Sequence, residues 1–557
     1  MASDACQSGL AWRWRWRWRV LLRGRVLQFL FFSAGFFLLH LASSPCVSMQ
    51  LDLGECRPGN GVNVEYTRLP VWSVNRTAGK IASIPGRHLG KWSGVYFSSP
   101  YNDIFPAFNG SVPRNAVYRV RGNDPTAKEL YEGGGTTVSP EVELIAKGIS
   151  FANVIRASPQ QFKRLFATGQ ASITIVTGRF PIGGLPGDDG GVLVVGVDTS
   201  NPAETQTIAI VPEKRDSSGN QWIYSNFFFH DVNGDGFTDI VTVRMTPAGP
   251  PCFPPNNCCG PPWSGQPPFD CFEGPFFPFW GQVIWFEQPQ SLKAARAGNW
   301  PLRVLIGGNR QINLGPSTEL DLQDIDGDGV PEMVAVDFWG KRVHLLWAVN
   351  PSRNQSWSDP KNIKVVTVTE KTLGNIYDCE FADVNGDGRV DILATNHVPS
   401  NTPSVKASLV AFEIPPDFKT AQNPIFQSHV IDDDFPTRWK PGSLAPGYIK
   451  VLPPPKGRVH ATGLEQTQPV ILMAGDGSGS WYVYAPVRGW RFTKTTIDSD
   501  LCDFIEPAFE DEESAELFSD QVVYCSCYQL GKIYRGVLST SLGHENQIAQ
   551  KGGVCVA

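Results

Sequence analysis

Three segments of this chain repeat one demanding pattern. They are "HDVNGDGFTDIVTV" (His230–Val243), "QDIDGDGVPEMVAV" (Gln323–Val336) and "ADVNGDGRVDILAT" (Ala382–Thr395). Each crowds acidic or amide side chains onto alternate positions, sets two glycines among them, and then runs into a β-branched stretch. Like charges at that spacing repel, so something must neutralise them or water must screen them. The glycines permit a sharp turn, and the apolar run that follows reads as a strand. A turn of this kind, met three times with the same offsets, belongs to a repeating structural unit rather than to an isolated site.

The unit is legible downstream of each turn. "DIVTV" is followed, after an insertion, by "GQVIWFEQP" and "WPLRVLIG"; "EMVAV" by "GKRVHLLWAVN" and "NIKVVTVTE"; "DILAT" by "ASLVAFEIPP" and "IFQSHVIDDD". A strand enters the turn, a second leaves it, and two more follow, each short and rich in Val, Ile and Phe. The same order recurs without the acidic turn at "SITIVTG", "PVILMAG" and "QVVYCSC", and less regularly at "SGVYFSS". Seven units result, with second strands expected to start near residues 93, 172, 239, 332, 391, 469 and 521.

A four-stranded antiparallel sheet with two apolar faces cannot bury both alone. Radial packing around an axis buries both, so an all-β, seven-bladed propeller over residues 49–557 is expected. The last unit lacks a clear fourth strand, which the N-terminal segment Val62–Leu69 can supply, closing the ring. Several β-sandwich domains are the alternative, but they need linkers and Greek-key spacing that the chain does not display.

The offsets within the turns suit the oxygen shell of a hard divalent cation. The expected calcium ligands of the first turn are Asp231, Asn233, Asp235, the Phe237 carbonyl and Asp239. Those of the second are Asp324, Asp326, Asp328, the Val330 carbonyl and Glu332; those of the third are Asp383, Asn385, Asp387, the Arg389 carbonyl and Asp391. About three structural calcium ions follow. An EF-hand is excluded because its twelfth position, here Thr242, Ala335 and Ala394, needs a bidentate Glu, and because strands flank the turns. A metal-free Asx turn is the plain alternative. "MAGDGSGSW" (Met473–Trp481) and "PGDDGG" (Pro186–Gly191) follow their strands instead of preceding them and read as hairpin turns.

The D-x-[ND]-G-D-G-x-x-[DE]-[ILM] turns with their paired strands resemble the FG-GAP/VCBS-type repeats of integrin α-subunit-like propellers. The resemblance covers most of the chain after about residue 80 and implies seven blades, with calcium in the turn joining the first two strands of a blade. Only three consecutive units keep the ligands, and the Phe-Gly…Gly-Ala-Pro signature is missing, its nearest echo being "APGYIKV" (Ala445–Val451). Integrin-type partner recognition is therefore not carried over.

Other features set the compartment. "WRWRWRWRVLLRGR" precedes the apolar run Val26–Ala42 and the small residues Ser43, Ser44 and Ser48, so residues 1–48 read as a secretory signal, or alternatively as a type II membrane anchor. Either way the remainder is secreted, extracellular or lumenal. Ten cysteines beyond Cys6 and Cys46 suit disulfides in an exported chain, and sequons stand at Asn75, Asn109 and Asn354. A net charge of -6 excludes a nucleic-acid partner. The acidic run Glu506–Glu516 reads as a solvated loop.

Function is expected at the ends of the ring. The longest insertion, residues 246–281, lies between second and third strands and so projects from the end opposite the acidic turns. It is rich in Pro, Cys and aromatic residues, and adjacent Cys258 and Cys259 are expected to pair with different partners, such as Cys252 and Cys271. Pre-ordered rings of this kind suit an extracellular protein or carbohydrate partner, or else a lid over the channel. His230 and His429 read as strand residues. The main expectation is a binding or adhesion module without catalysis. The alternatives are a carbohydrate-processing lyase or dehydratase, which requires carboxylates and histidines from several blades to converge, and a structural scaffold.

Overall fold

The computed structural model describes residues 62–542, apart from several segments, the longest being 100–115, 122–136, 159–170, 178–191, 211–221, 248–278, 308–319 and 456–467. The expected signal or anchor (1–48), most of the 246–281 insertion, and the sequons at Asn109 and Asn354 lie outside the described residues. Asn75 is described and exposed. Among the described residues no helix is long and apolar enough to cross a membrane.

Among the described residues, six four-stranded antiparallel sheets follow one another along the chain. Blade I comprises Ile81–Ile84, Gly94–Ser99, Ala116–Arg121 and Val142–Lys147; blade II comprises Ala152–Ser158, Ala171–Thr177, Val192–Val197 and Thr205–Ile210. Blade III comprises Ile223–His230, Asp239–Pro247, Phe279–Phe286 and Leu302–Gly307. Blade IV comprises Leu320–Gln323, Glu332–Asp337, Arg342–Ala348 and Ile363–Glu370. Blade V comprises Ile376–Ala382, Asp391–Asn396, Leu409–Glu413 and Gln427–Asp432. Blade VI comprises Ile449–Leu452, Val470–Ala474, Ser480–Arg488 and Arg491–Ser499. The first strand of each blade lies against the first strand of the next.

The expectation of seven four-stranded blades is corrected to six. The last repeat, Phe504–Phe509, Gln521–Cys527 and Lys532–Leu542, belongs to a six-stranded sheet. Val62–Arg68 pairs antiparallel with Gly536–Leu542, as the closing strand was expected to do. Pro70 has no N–H to donate and interrupts that strand. The chain then resumes as Val71–Ser73, which pairs with Lys532 and Ile533 farther along the same edge and takes Thr137–Val138 as a parallel neighbour. Phe504–Phe509 itself lies between the first strands of blades VI and I and completes the circle of neighbours. This also corrects the reading of Glu506–Glu516, since Glu506, Pro507, Ala508 and Phe509 are strand and buried.

Period-two side-chain alternation sends one strand into two cores. In blade IV, Met333 and Ala335 join the cluster shared with blade III, while Val334 and Val336 join the one shared with blade V. Comparable clusters join V to VI, VI to the six-stranded sheet, and that sheet to blade I. Two of the expected disulfide cysteines are bonded to each other, Cys502 just before Phe504–Phe509 and Cys527 in the closing sheet, while Cys379 and Cys525 are buried thiols.

First strands are edge strands, so alternate backbone N–H groups point away from their own sheet. Carboxylates of the preceding blade receive them. Asp321 Oδ2 accepts from Phe381 N at 2.7 Å, Asp378 Oδ2 from Ile449 N at 2.6 Å, and Glu380 Oε2 from Val451 N at 2.9 Å. Glu506 Oε2 accepts from Ile81 N at 3.0 Å, across the joint between the closing sheet and blade I.

Asp378 is fully buried and also accepts from Cys379 N at 2.9 Å. Asp378→Ala leaves two buried donors unmet and is expected to destabilise the fold by about 2–4 kcal/mol in urea denaturation. A loss within error of zero would show that these bonds across the joints contribute nothing.

Candidate metal centres

The three acidic turns join first to second strands in consecutive blades III, IV and V, so they share one end of the ring. Each is folded by the same exchange of local hydrogen bonds. The carboxylate at position 1 turns inward and accepts from backbone N–H groups of the turn. Asp231 receives Asp235 N and Gly236 N at 3.1 and 2.8 Å; Asp324 receives Gly327 N and Gly329 N at 2.8 and 2.9 Å. Asp383 receives Gly386 N, Asp387 N and Gly388 N at 2.8–3.0 Å. Gly236, Gly329 and Gly388 hold φ of 83–85°, a left-handed conformation that a Cβ would strain.

The ninth residue of each turn opens the second strand and is buried: Asp239, Glu332 and Asp391 are each 1% exposed. Each accepts from the N–H at position 2: Val232 N at 3.1 Å, Ile325 N at 3.0 Å and Val384 N at 3.0 Å. Burial nevertheless pushes their pKa values up, Asp239 and Glu332 to about 7 and Asp391 to about 8. A buried carboxylate held against its ionised form is the condition that a bound divalent cation relieves. The donor set is all oxygen, as hard cations require. The residues present therefore fit such an ion.

The structure brings the expected ligands together to different degrees. In blade IV, carboxylate oxygens of Asp324, Asp326 and Glu332 lie within 4.8 Å of one another. Lys419 reaches the same turn from blade V, its Nζ 2.6 Å from Asp326 Oδ2 and 2.8 Å from both Asp328 Oδ2 and Glu332 Oε1. In blade V, Arg389 extends its guanidinium to Asp387 Oδ2 at 2.9 Å and Glu413 Oε1 at 3.2 Å. In blade III, Gln288 N donates to Asp239 Oδ1 at 2.8 Å. Phe237 and Val330 place their seventh-position carbonyls in turns where Phe237 N binds Asp235 Oδ1 and Val330 N binds Asp328 Oδ1. Sequence reading missed Lys419, which stands 28 residues beyond Asp391 with no local pattern to mark it.

A second polar group, also missed, lies at the other end of blades V and VI. His397 Nδ1 faces the Pro446 carbonyl at 2.8 Å, and its ring stacks on Tyr377 at 4.1 Å between centroids. Its Nε2 lies 3.5 Å from Asp476 Oδ2. Asp476 belongs to the turn between Val470–Ala474 and Ser480–Arg488, as the hairpin reading of "MAGDGSGSW" expected. Burial outweighs the hydrogen bond to the Pro446 carbonyl and holds the His397 pKa down at about 4, and burial likewise lowers that of His344 in blade IV to about 4. His230 and His429 are strand residues, His429 stacked on Trp490 at 3.8 Å.

The repeat now has both a geometry and a sequence match. Residues 324–394 match the FG-GAP-like repeat family. The matched FG-GAP-like repeat runs from Asp324, the first residue of the blade IV turn, into the second strand of blade V, so it spans one acidic turn and reaches through the next. The resemblance read from the turns therefore holds. No curated protein matches the chain. Among solved structures, the parainfluenza virus 5 hemagglutinin-neuraminidase ectodomain is similar at 10% identity and a TM-score of 0.40, covering 93% of this chain and 95% of its own. The N-terminal domain of Nup159 overlaps at 9% identity and 0.37, covering 87% and 97%. The Pseudomonas aeruginosa periplasmic gluconolactonase PpgL overlaps at 12% identity and 0.34, covering 76% and 91%. Overlaps of this size carry no functional information.

Acid should reveal the two buried imidazoles. Their folded pKa values, about 4, lie below the ordinary 6.5. The stability they contribute is therefore complete above about pH 6.5 and is lost as pH falls from there toward 4. The loss should be of order 2 kcal/mol per histidine by about pH 4.5. His397→Gln should flatten the pH dependence of urea denaturation between pH 7 and 4.5. An unchanged slope would mean that His397 is already charged in the native state.

Proposed function

We propose that this protein is an exported, calcium-stabilised β-propeller that serves as a binding or adhesion module for an extracellular protein or carbohydrate. The observation that carries the reading is the division of labour between the two ends of the ring. Three consecutive turns of one acidic build stand at one end. The strands that flank the 246–281 insertion, Asp239–Pro247 and Phe279–Phe286, remain paired as far as Pro247 and Phe279 and end at the other. Calcium at the turns stiffens the ring, and the aromatic, proline-rich insertion meets the partner on a rigid mount. Export is supported by the Cys502–Cys527 disulfide and by the basic-then-apolar N-terminal sequence.

One observation favours a second reading, a carbohydrate-processing enzyme. His397, Asp476, Tyr377 and Tyr448 converge from blades V and VI, with Tyr377 and Tyr448 ring centroids 4.7 Å apart. His397 and Tyr448 are nevertheless buried and held to internal partners. The binding reading takes precedence for that reason.

Chelation should lower the melting temperature of the isolated ectodomain by several degrees, about the shift that a loss of a few kcal/mol gives in a domain of this size. A screen against glycans and extracellular proteins, run with calcium and with EDTA, should yield a partner. Deleting residues 248–278 should abolish that binding while the melting temperature is kept. A melting temperature indifferent to EDTA removes calcium from the proposal. Oligosaccharide turnover that His397→Ala abolishes, with no partner found, transfers the function to the enzyme reading.

A further inference from the structure

We infer that the Lys419 ammonium is the resident cation of the blade IV turn, standing where the other two acidic turns take a metal ion. The inference rests on the calcium reading proposed above and divides the three turns into two classes.

The oxygens available in the blade IV turn define the argument. Asp324 commits both oxygens to Gly327 N and Gly329 N, and three other ligands commit one oxygen each to the backbone: Asp326 Oδ1 to Asp328 N, Asp328 Oδ1 to Val330 N, and Glu332 Oε2 to Ile325 N. Lys419 Nζ sits on the complementary oxygens, Asp326 Oδ2, Asp328 Oδ2 and Glu332 Oε1, at 2.6–2.8 Å. A calcium ion bound by these ligands needs the same oxygens at about 2.3–2.6 Å. The two cations cannot share them.

The placement is built rather than incidental. Lys419 belongs to the connection between the third and fourth strands of blade V, which lies at the same end of the ring as the acidic turns. That connection is folded on itself by Phe418 N to Pro415 O and by Thr420 N and Ala421 N to Asp417 O, at 2.8–3.1 Å. Phe418 is buried and meets Trp347 of blade IV edge-to-face at 5.4 Å, so the residue beside Lys419 docks on the neighbouring blade. The sequence of the turn is matched to this visitor. Position 3 is Asn in the other two turns, Asn233 and Asn385, but Asp326 here, and Asp326 makes the shortest contact with Lys419. Arg389 in the blade V turn touches one ligand, Asp387, and turns also to Glu413.

A tethered ammonium competes at high effective concentration, so calcium must evict it before binding. The joint between blades IV and V is then pinned without metal. The test titrates the EDTA-stripped full chain with calcium by calorimetry and native mass spectrometry, comparing the natural chain with Lys419→Met, which keeps most of the aliphatic stem. Lys419→Met should gain one calcium site, with an affinity at that turn raised about a hundredfold. A natural chain that already fills all three turns overturns the inference and leaves the calcium reading standing. A natural chain and a variant that both bind no calcium overturn both. A variant that gains a site where the natural chain has none supports the role of Lys419 and removes calcium from the other turns. A second measurement needs no lysine variant. The Trp357 indole donates to Pro331 O inside this turn at 3.1 Å, so it should sensitise terbium bound there. Terbium luminescence of the natural chain should be unaffected by Trp357→Phe, and loss of the signal would place an ion in the turn and overturn the inference.

Discussion

A sheet that is apolar on both faces must find a neighbour on each side, and this demand organises the whole ring. Val334 and Val336 face one way, Met333 and Ala335 the other, and neither set is satisfied until blades III and V arrive. The demand is the same in every repeat, so a closed circuit is the arrangement that leaves no sheet with a bare face. Closure is completed by the six-stranded sheet, whose strands come from both ends of the described chain. It joins the first described strand to the last.

Apolar burial alone does not align the blades, because it is non-directional. Direction comes from the edge strands near the axis. Their outward N–H groups need acceptors, and Asp321, Asp378, Glu380 and Glu506 supply them across the joints. Each such carboxylate sits in or beside a strand that is itself an inner edge, so the blade that receives a bond at one joint can donate an acceptor at the next. Blade V does both, through Phe381 N on one side and Asp378 and Glu380 on the other. The register between neighbouring blades follows from these contacts.

The acidic turns solve a different problem, that of negative charge gathered at one end of the ring. The position-1 carboxylates spend their oxygens on the turn's own N–H groups, which sets the shape of the turn but leaves the ninth-position carboxylate buried and short of positive charge. Lys419 answers that need at one turn, from the adjacent blade. The far end of the ring handles polarity by sequestration, with His397 held neutral among aromatic rings.

The strand order, the starts of the second strands at Gly94, Ala171, Asp239, Glu332, Asp391, Val470 and Gln521, and the turn geometry were legible in the sequence. These features are local: a two-residue alternation, a glycine at positive φ and a carboxylate within a few residues of the N–H it accepts are encoded side by side along the chain. Sequence alone also marked Val62–Leu69 as the closing strand, because the last repeat was one strand short. What it left undecided arises between residues far apart in the chain. That Glu506 lies in an inner strand bonded to Ile81, that the closing sheet grows to six strands, that His397 meets Asp476, and that Lys419 enters the turn of another blade all depend on how separate sheets are brought edge to edge. Such contacts leave no periodic trace in the chain, since a single lysine or glutamate reads the same whether it faces water or a neighbouring blade.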